Sequence, residues 1–167
     1  MANDLIYEEK VTSNRTEMLF LSLTILFLIL LMWRVKSGEF GILAIVFICL
    51  FILFLFYSVN YKTLIIRLTS ESLKLKFGIF NWTVFLDNIE ECHLDDIPVL
   101  MRMGGAGIHF MNIRKRYRAS FNFLQYPRVV VSLKRKAGLV RDISFSTRRP
   151  NDAIRLIREA VSAHGAA

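Results

Sequence analysis

Two stretches of this chain carry no charge. Met18–Trp33 reads MLFLSLTILFLILLMW over 16 residues, and Phe40–Val59 reads FGILAIVFICLFILFLFYSV over 20. Neither shows a polar stripe at helical spacing. A helix that is apolar all round needs lipid or a large protein interior, and a chain of 167 residues does not provide the second. Crossing about 30 Å of hydrocarbon at ~1.5 Å per residue takes roughly 20 residues. The second stretch meets that length. The first is shorter, but Arg15 and Arg34 can snorkel from its ends and Trp33 suits an interface. Only Arg34-Val-Lys-Ser-Gly-Glu39 lies between them, so two antiparallel neighbours are expected: a transmembrane helical hairpin over 18–59, with spans 18–33 and 40–59.

After Asn60 the period changes from helical to alternating. Leu73, Leu75 and Phe77 are interleaved with Lys74 and Lys76, the pattern of a half-buried strand. Thr63–Thr69 is a β-rich run before it, with Ser70-Glu71-Ser72 as a tight turn. Trp82, Val84 and Leu86 continue the alternation, and Ile89–Leu94 extends it after a break at Asp87-Asn88. Tyr126–Leu133 places Val129, Val131 and Leu133 on one face. Lys134–Gly138 reads as a polar turn, and Leu139–Ser146 returns with Ile143 and Phe145 inward and Asp142 and Ser144 outward. The end of the chain differs. Pro150 suits a first helical turn, Asp152 opposes the helix dipole, and Ala153, Ile154, Ile157, Ala160 and Val161 recur at helical spacing. A helix over 150–163 is predicted, followed by a short tail at 164–167.

Two spans, then strand pairs, then Arg102–Ile108 (RMGGAGI), then VVVSLKRKAGLVRDISFSTRRPNDAIRLIREAV make an ordered combination. It resembles the membrane-anchored bacterial pleckstrin-homology-like (PH-like) domain proteins over roughly residues 60–163 and the anchor. The segment Ile143–Pro150 looks like that family's last strand and helix entry. The resemblance implies a bent barrel of about seven antiparallel strands closed by the C-terminal helix. The stretch Ile108–Phe123 departs from a tidy strand pair, being interrupted by Arg114–Arg118.

Composition narrows the class. The chain is 54% hydrophobic with only 3 Pro, which excludes a disordered or collagen-like polymer. Two Cys cannot build a disulfide framework, and Cys49 lies inside a span, so pairing with Cys92 is not expected. Residues 1–17 hold four acids against Lys10 and Arg15, the opposite of a secretory leader. They are expected to stay as an N-terminal cytosolic segment. Lys10, Arg15, Lys62, Arg67, Lys74 and Lys76 flank the spans, against Arg34 and Lys36 in the connecting turn. The positive-inside rule then puts both termini in the cytosol and the hairpin in the inner membrane.

The chemistry-bearing candidates are few. Met103–Gly107 lacks the Lys and Ser or Thr of a phosphate loop and precedes no helix, so a flexible link is the better reading. Cys92 and His93, adjacent on a strand, point to opposite faces, which removes both a metal pair and a nucleophile–base pair. Asp95-Asp96 reads as a polar loop. No catalytic residue, metal or cofactor is assigned, and no enzyme is expected. Charge is the remaining signal. Residues 60–167 hold 18 Lys and Arg against 9 Asp and Glu, whereas residues 1–59 are net −1. The dense clusters are Arg114, Lys115, Arg116 and Arg118, and Lys134, Arg135 and Lys136. Their expected role is docking to anionic lipid head groups or to a membrane protein partner. The alternative is a self-assembling or protein-binding scaffold whose basic loops are incidental. Nucleic acid is the weaker option, because only Tyr117 accompanies the cations.

Overall fold

The computed structural model describes residues 4–97, 106–113 and 115–165. The two apolar stretches form α1 (Asn14–Lys36) and α2 (Ile42–Asn60), both long and apolar enough to cross a membrane. The start of α1 is set by a cap rather than by hydropathy. Ser13 accepts a hydrogen bond from the Thr16 amide at 3.2 Å and starts α1 four residues before the apolar run. Ser13→Ala is expected to cost about 1 kcal/mol, read as a lowered unfolding midpoint in detergent micelles. The helices pack through Phe27, stacked on Phe54 at 5.4 Å, and through Phe20 edge-on to Tyr57 at 5.4 Å. Their remaining apolar surface is exposed, with only 11% and 6% of the two windows buried. Core helices of a protein interior would have most of that surface covered.

The hairpin interrupts a β-ladder. β1 (Leu5–Thr12) runs into α1 through Ser13 alone, and α2 runs into β2 (Thr63–Thr69) through Tyr61 and Lys62. β1 and β2 pair antiparallel from Leu5↔Thr69 to Thr12↔Thr63, so both helices leave from one end of a single strand pair. Glu8 and Arg67, directly opposite, form an ion pair at 3.2 Å, and Lys62 reaches Glu17 at 2.8 Å. The N-terminal segment is therefore part of the β domain. LIYEEKVT has no clean alternation, and its partner lies 50 residues away, so hydropathy does not reveal it.

β3 (Ser72–Phe77) and β4 (Phe80–Phe85) complete a four-stranded antiparallel sheet in the order β1-β2-β3-β4. A single 3-10 turn at Leu86–Asn88 leads to β5 (Ile89–Leu94). With β6 (Gly107–Ile113), β7 (Arg116–Asn122), β8 (Arg128–Ala137) and β9 (Val140–Ser146), it forms a second sheet in the order β5-β8-β9-β7-β6. The two sheets face each other across one core. Leu64, Ile66, Leu68, Leu75 and Phe77 come from the first, and Phe121, Phe123, Val129, Val131, Ile143 and Phe145 from the second. α3 (Pro150–Gly165) buries Ala153, Ile157 and Ala160 against β5, β8 and the 3-10 turn, covering the β5 edge. Arg158 caps that edge by donating to the Cys92 carbonyl at 2.7 Å.

Four expectations are corrected. The described residues give nine strands in two sheets, not seven in a closed barrel. The gap between edge strands β4 and β6 is bridged by rings, with Trp82 at 6.5 Å from Phe110 and 6.2 Å from Phe121, in place of a backbone ladder. The second sheet is not wholly antiparallel, because β9 inserts between β8 and β7 and runs parallel to β7. Within the stretch 108–123, β6 and β7 pair as a regular antiparallel ladder from Gly107↔Asn122 to Ile113↔Arg116. Lys134, Arg135 and Lys136 belong to β8, and the turn is only Gly138-Leu139. The ladder is irregular between Ser132 and Ala137, and Asn88 fills it. Its side-chain oxygen accepts from the Arg135 amide at 2.7 Å, and its side-chain nitrogen donates to the Arg135 carbonyl at 3.1 Å.

Candidate functional site

The second face of the β5–β9 sheet, expected to be outward and solvated, is buried. Asp142 and Ser144 are 3% and 1% exposed, and Arg118, Ser120, Asn122 and Ser132 are as deep. Register explains the arrangement: Arg118 stands beside Asp142, Ser120 beside Ser144, and Ser132 beside Asp142. Arg118 donates to Asp95 at 3.1 Å and lies 3.8 Å from Asp142. Arg116 donates to Asp142 and to the Ser132 hydroxyl, each at 3.2 Å, and faces Glu90 at 3.5 Å. Ser132 donates to Asp142 at 3.0 Å, and the Ser120 and Ser144 hydroxyls bond at 2.8 Å. Buried charges persist where they are paired and hydrogen-bonded. Burial and the nearby Arg128 hold the His109 imidazole below its ordinary pKa, so it stays neutral beside the Asn122 amide at 3.3 Å. Arg116 and Arg118 are thus committed to holding the sheet together.

The other nominated cations separate. Arg114 lies outside the described residues, as does most of the glycine segment at 103–107. Arg135 is engaged by Asp87 at 2.7 Å on the surface. Lys134 is exposed at the start of the irregular stretch of β8. Lys115 and Lys136 come together with Arg141, a residue that contiguity in sequence does not single out. These three line an open groove of about 290 Å³ with Asn112, Tyr117 and Leu139. Lys115 turns the β6–β7 hairpin at φ 65°, and Gly138 opens the β8–β9 turn at φ 64°, which brings the two hairpin ends side by side. No ion pair engages Lys115, Lys136 or Arg141 among the described residues. The surface can hold an anion.

Its position matters as much as its charge. At the start of β6, Gly107 lies so close to the Tyr61 ring that a Cβ would stand 2.7 Å from it. Just before β8 begins, Tyr126 donates to the Thr12 carbonyl at 2.9 Å. Those contacts mark the end of the sheet next to the helices. The groove sits at the opposite end, six residues along β6, or about 20 Å at ~3.3 Å per residue.

The remaining sequence candidates do not assemble into a centre. Cys92 is buried and its thiol is pushed up to about 12 by desolvation, while His93 on the other face approaches Glu91 at 3.8 Å. No group of three metal-ligating side chains occurs among the described residues. No family model, curated protein or solved structure matches the chain.

Proposed function

We propose that this chain is a membrane-anchored, non-catalytic docking protein. Its helical hairpin holds a PH-like β domain on the cytosolic side of the inner membrane, and the far end of that domain takes an acidic segment of a protein partner. The observation that carries this reading is the gathering of Lys115, Lys136 and Arg141, without an ion pair among the described residues, about 20 Å from the helix ends. A patch of that sign beside the helices would favour the protein's own bilayer. At the far end it lies two Debye lengths away at physiological salt, where attraction to the membrane surface is largely screened. With one residue joining β1 to α1 and two joining α2 to β2, no linker is long enough to swing the groove back. The order of elements and the flanking charge support the PH-like and cytosolic parts of the reading. The divergence of Cys92 and His93 supports the absence of catalysis.

The test uses the full chain in lipid nanodiscs and a fluorescent oligoglutamate peptide as the acidic probe. The triple variant Lys115→Glu, Lys136→Glu, Arg141→Glu is expected to weaken binding by about tenfold or more, or roughly 1.4 kcal/mol. Binding by the parent protein should fall as salt rises. Equal peptide binding by both proteins defeats the assignment. Capture of phosphatidylglycerol vesicles in place of the peptide would move the ligand from protein to lipid.

A further inference from the structure

The turn joining β3 to β4 lies against the last turn of α2. Gly78 fits there because it carries no side chain: a Cβ would stand 2.5 Å from the Asn60 carbonyl oxygen. The next residue is tied to the same helix end, the Ile79 amide donating to the Asn60 side-chain oxygen at 3.3 Å. Phe80 then lays its ring 6.3 Å from Phe56 and 6.2 Å from Tyr61. Phe56 precedes Asn60 by one helical turn, so the tip of this β-hairpin reaches back to a depth about 6 Å inside the end of α2.

The surface there is apolar and open. Ile79 is 71% exposed and Val59 on α2 is 70% exposed, with Phe56 and Phe80 partly exposed between them. The Phe56–Phe80 ring contact joins the two elements, with Val59 three positions on from Phe56 along α2 and Ile79 next to Phe80 in the turn. Tyr57 and Tyr61 sit at the same level, and Lys62 and Arg15 stand exposed at the helix ends. Aromatic rings with flanking cations are the composition of a membrane–water boundary. A soluble partner would have to fit beside a lipid-covered helix to reach this surface, whereas lipid already adjoins it along α2.

We propose that Ile79 and Phe80 form a membrane-inserted tip, a third anchoring point seated where the lipid head groups meet the acyl chains. This rests on the membrane-anchored reading above. The tip fixes the tilt of the β domain on the helical pair and keeps the cationic groove pointing away from the bilayer.

Site-specific quenching separates the outcomes. Full-length protein carrying Cys49→Ala receives one added cysteine, at Ile79, at Val59 or at Leu139, and an environment-sensitive fluorophore. Cys92 is left in place, since it is buried and does not label. Each labelled protein is reconstituted into phosphatidylcholine–phosphatidylglycerol vesicles with or without a nitroxide near the carbonyl end of the acyl chain. Quenching at Ile79→Cys is expected to match that at Val59→Cys and to exceed several-fold that at Leu139→Cys, on the far turn. If Val59→Cys is quenched and Ile79→Cys falls to the Leu139→Cys level, the tip is overturned and the helical anchor stands. If a blue-shifted Ile79→Cys emission escapes the nitroxide, protein covers the tip and the proposal also fails. If neither Val59→Cys nor Ile79→Cys is quenched, the anchored reading fails with it.

Discussion

Arg118→Met is expected to destabilise the β domain by about 3–5 kcal/mol, the cost of removing one partner from a buried ion pair. Methionine keeps most of the volume, so the loss is one of charge and donors. The guanidinium is 7% exposed and the Asp95 and Asp142 side chains 1% and 4%. Without it, Asp95 loses a hydrogen-bond donor and Asp142 an ion-pair partner, both in a buried setting. A loss of this size is a large fraction of the 5–15 kcal/mol that typically separates folded from unfolded states. Thermal unfolding in micelles should show a midpoint lower by more than about 10 °C. Asp87→Ala provides the contrast, because it breaks the exposed pair with Arg135, whose worth is about 0–1 kcal/mol. Similar midpoints for the two variants would mean that the Arg118 cluster is solvated. As a member of a basic run, Arg118 invites mutation to abolish ligand binding, and its loss should weaken the fold instead.

Gly78→Ala is expected to cost about 3 kcal/mol, assembled from two sources. A non-glycine residue in the left-handed region loses roughly 1–2 kcal/mol, and Gly78 sits at φ 57°. Overpacking adds typically 1–3 kcal/mol, and here the added methyl meets the backbone of Asn60, which cannot turn away as a flexible side chain could. Gly138→Ala isolates the first contribution, because Gly138 has φ 64° but open space around its Cα. The difference between the two midpoints therefore measures how tightly the β domain is seated on α2. Equal shifts would show that the seat is loose. A larger shift for Gly78→Ala, together with faster proteolysis between residues 60 and 63, would show that the junction is a packed interface.

The elements differ in how far they can be read from the chain. α1 and α2 are legible because every residue in them contributes to one signal, and α3 because its apolar positions keep strict helical spacing. The core strands are legible where one face alone is buried, as in Leu73, Leu75 and Phe77. The same rule misplaces Asp142 and Ser144. Alternation marks them polar and hence outward, but their pairing with Arg118 and Ser120 is set by a parallel neighbour that local pattern does not reveal. β1 is missed for a similar reason, since its ladder partner is distant in sequence and edge strands carry little apolar bias. At the groove, density of charge along the chain points to Arg116 and Arg118, which are consumed internally. Arg141 joins Lys115 and Lys136 only through the meeting of two hairpin ends.

The interruption of the β1–β2 ladder by the helical hairpin has a consequence for biogenesis. Leu5–Thr12 leaves the ribosome before Thr63–Thr69, the strand that completes it, which follows after 50 intervening residues. At ordinary synthesis rates of about 5–20 residues per second, the first strand waits roughly 3–10 s with its hydrogen-bonding edge open. The two apolar helices are made within that interval. A chaperone that shields the unpaired first strand during those seconds would therefore act on yield, while leaving the finished molecule unchanged.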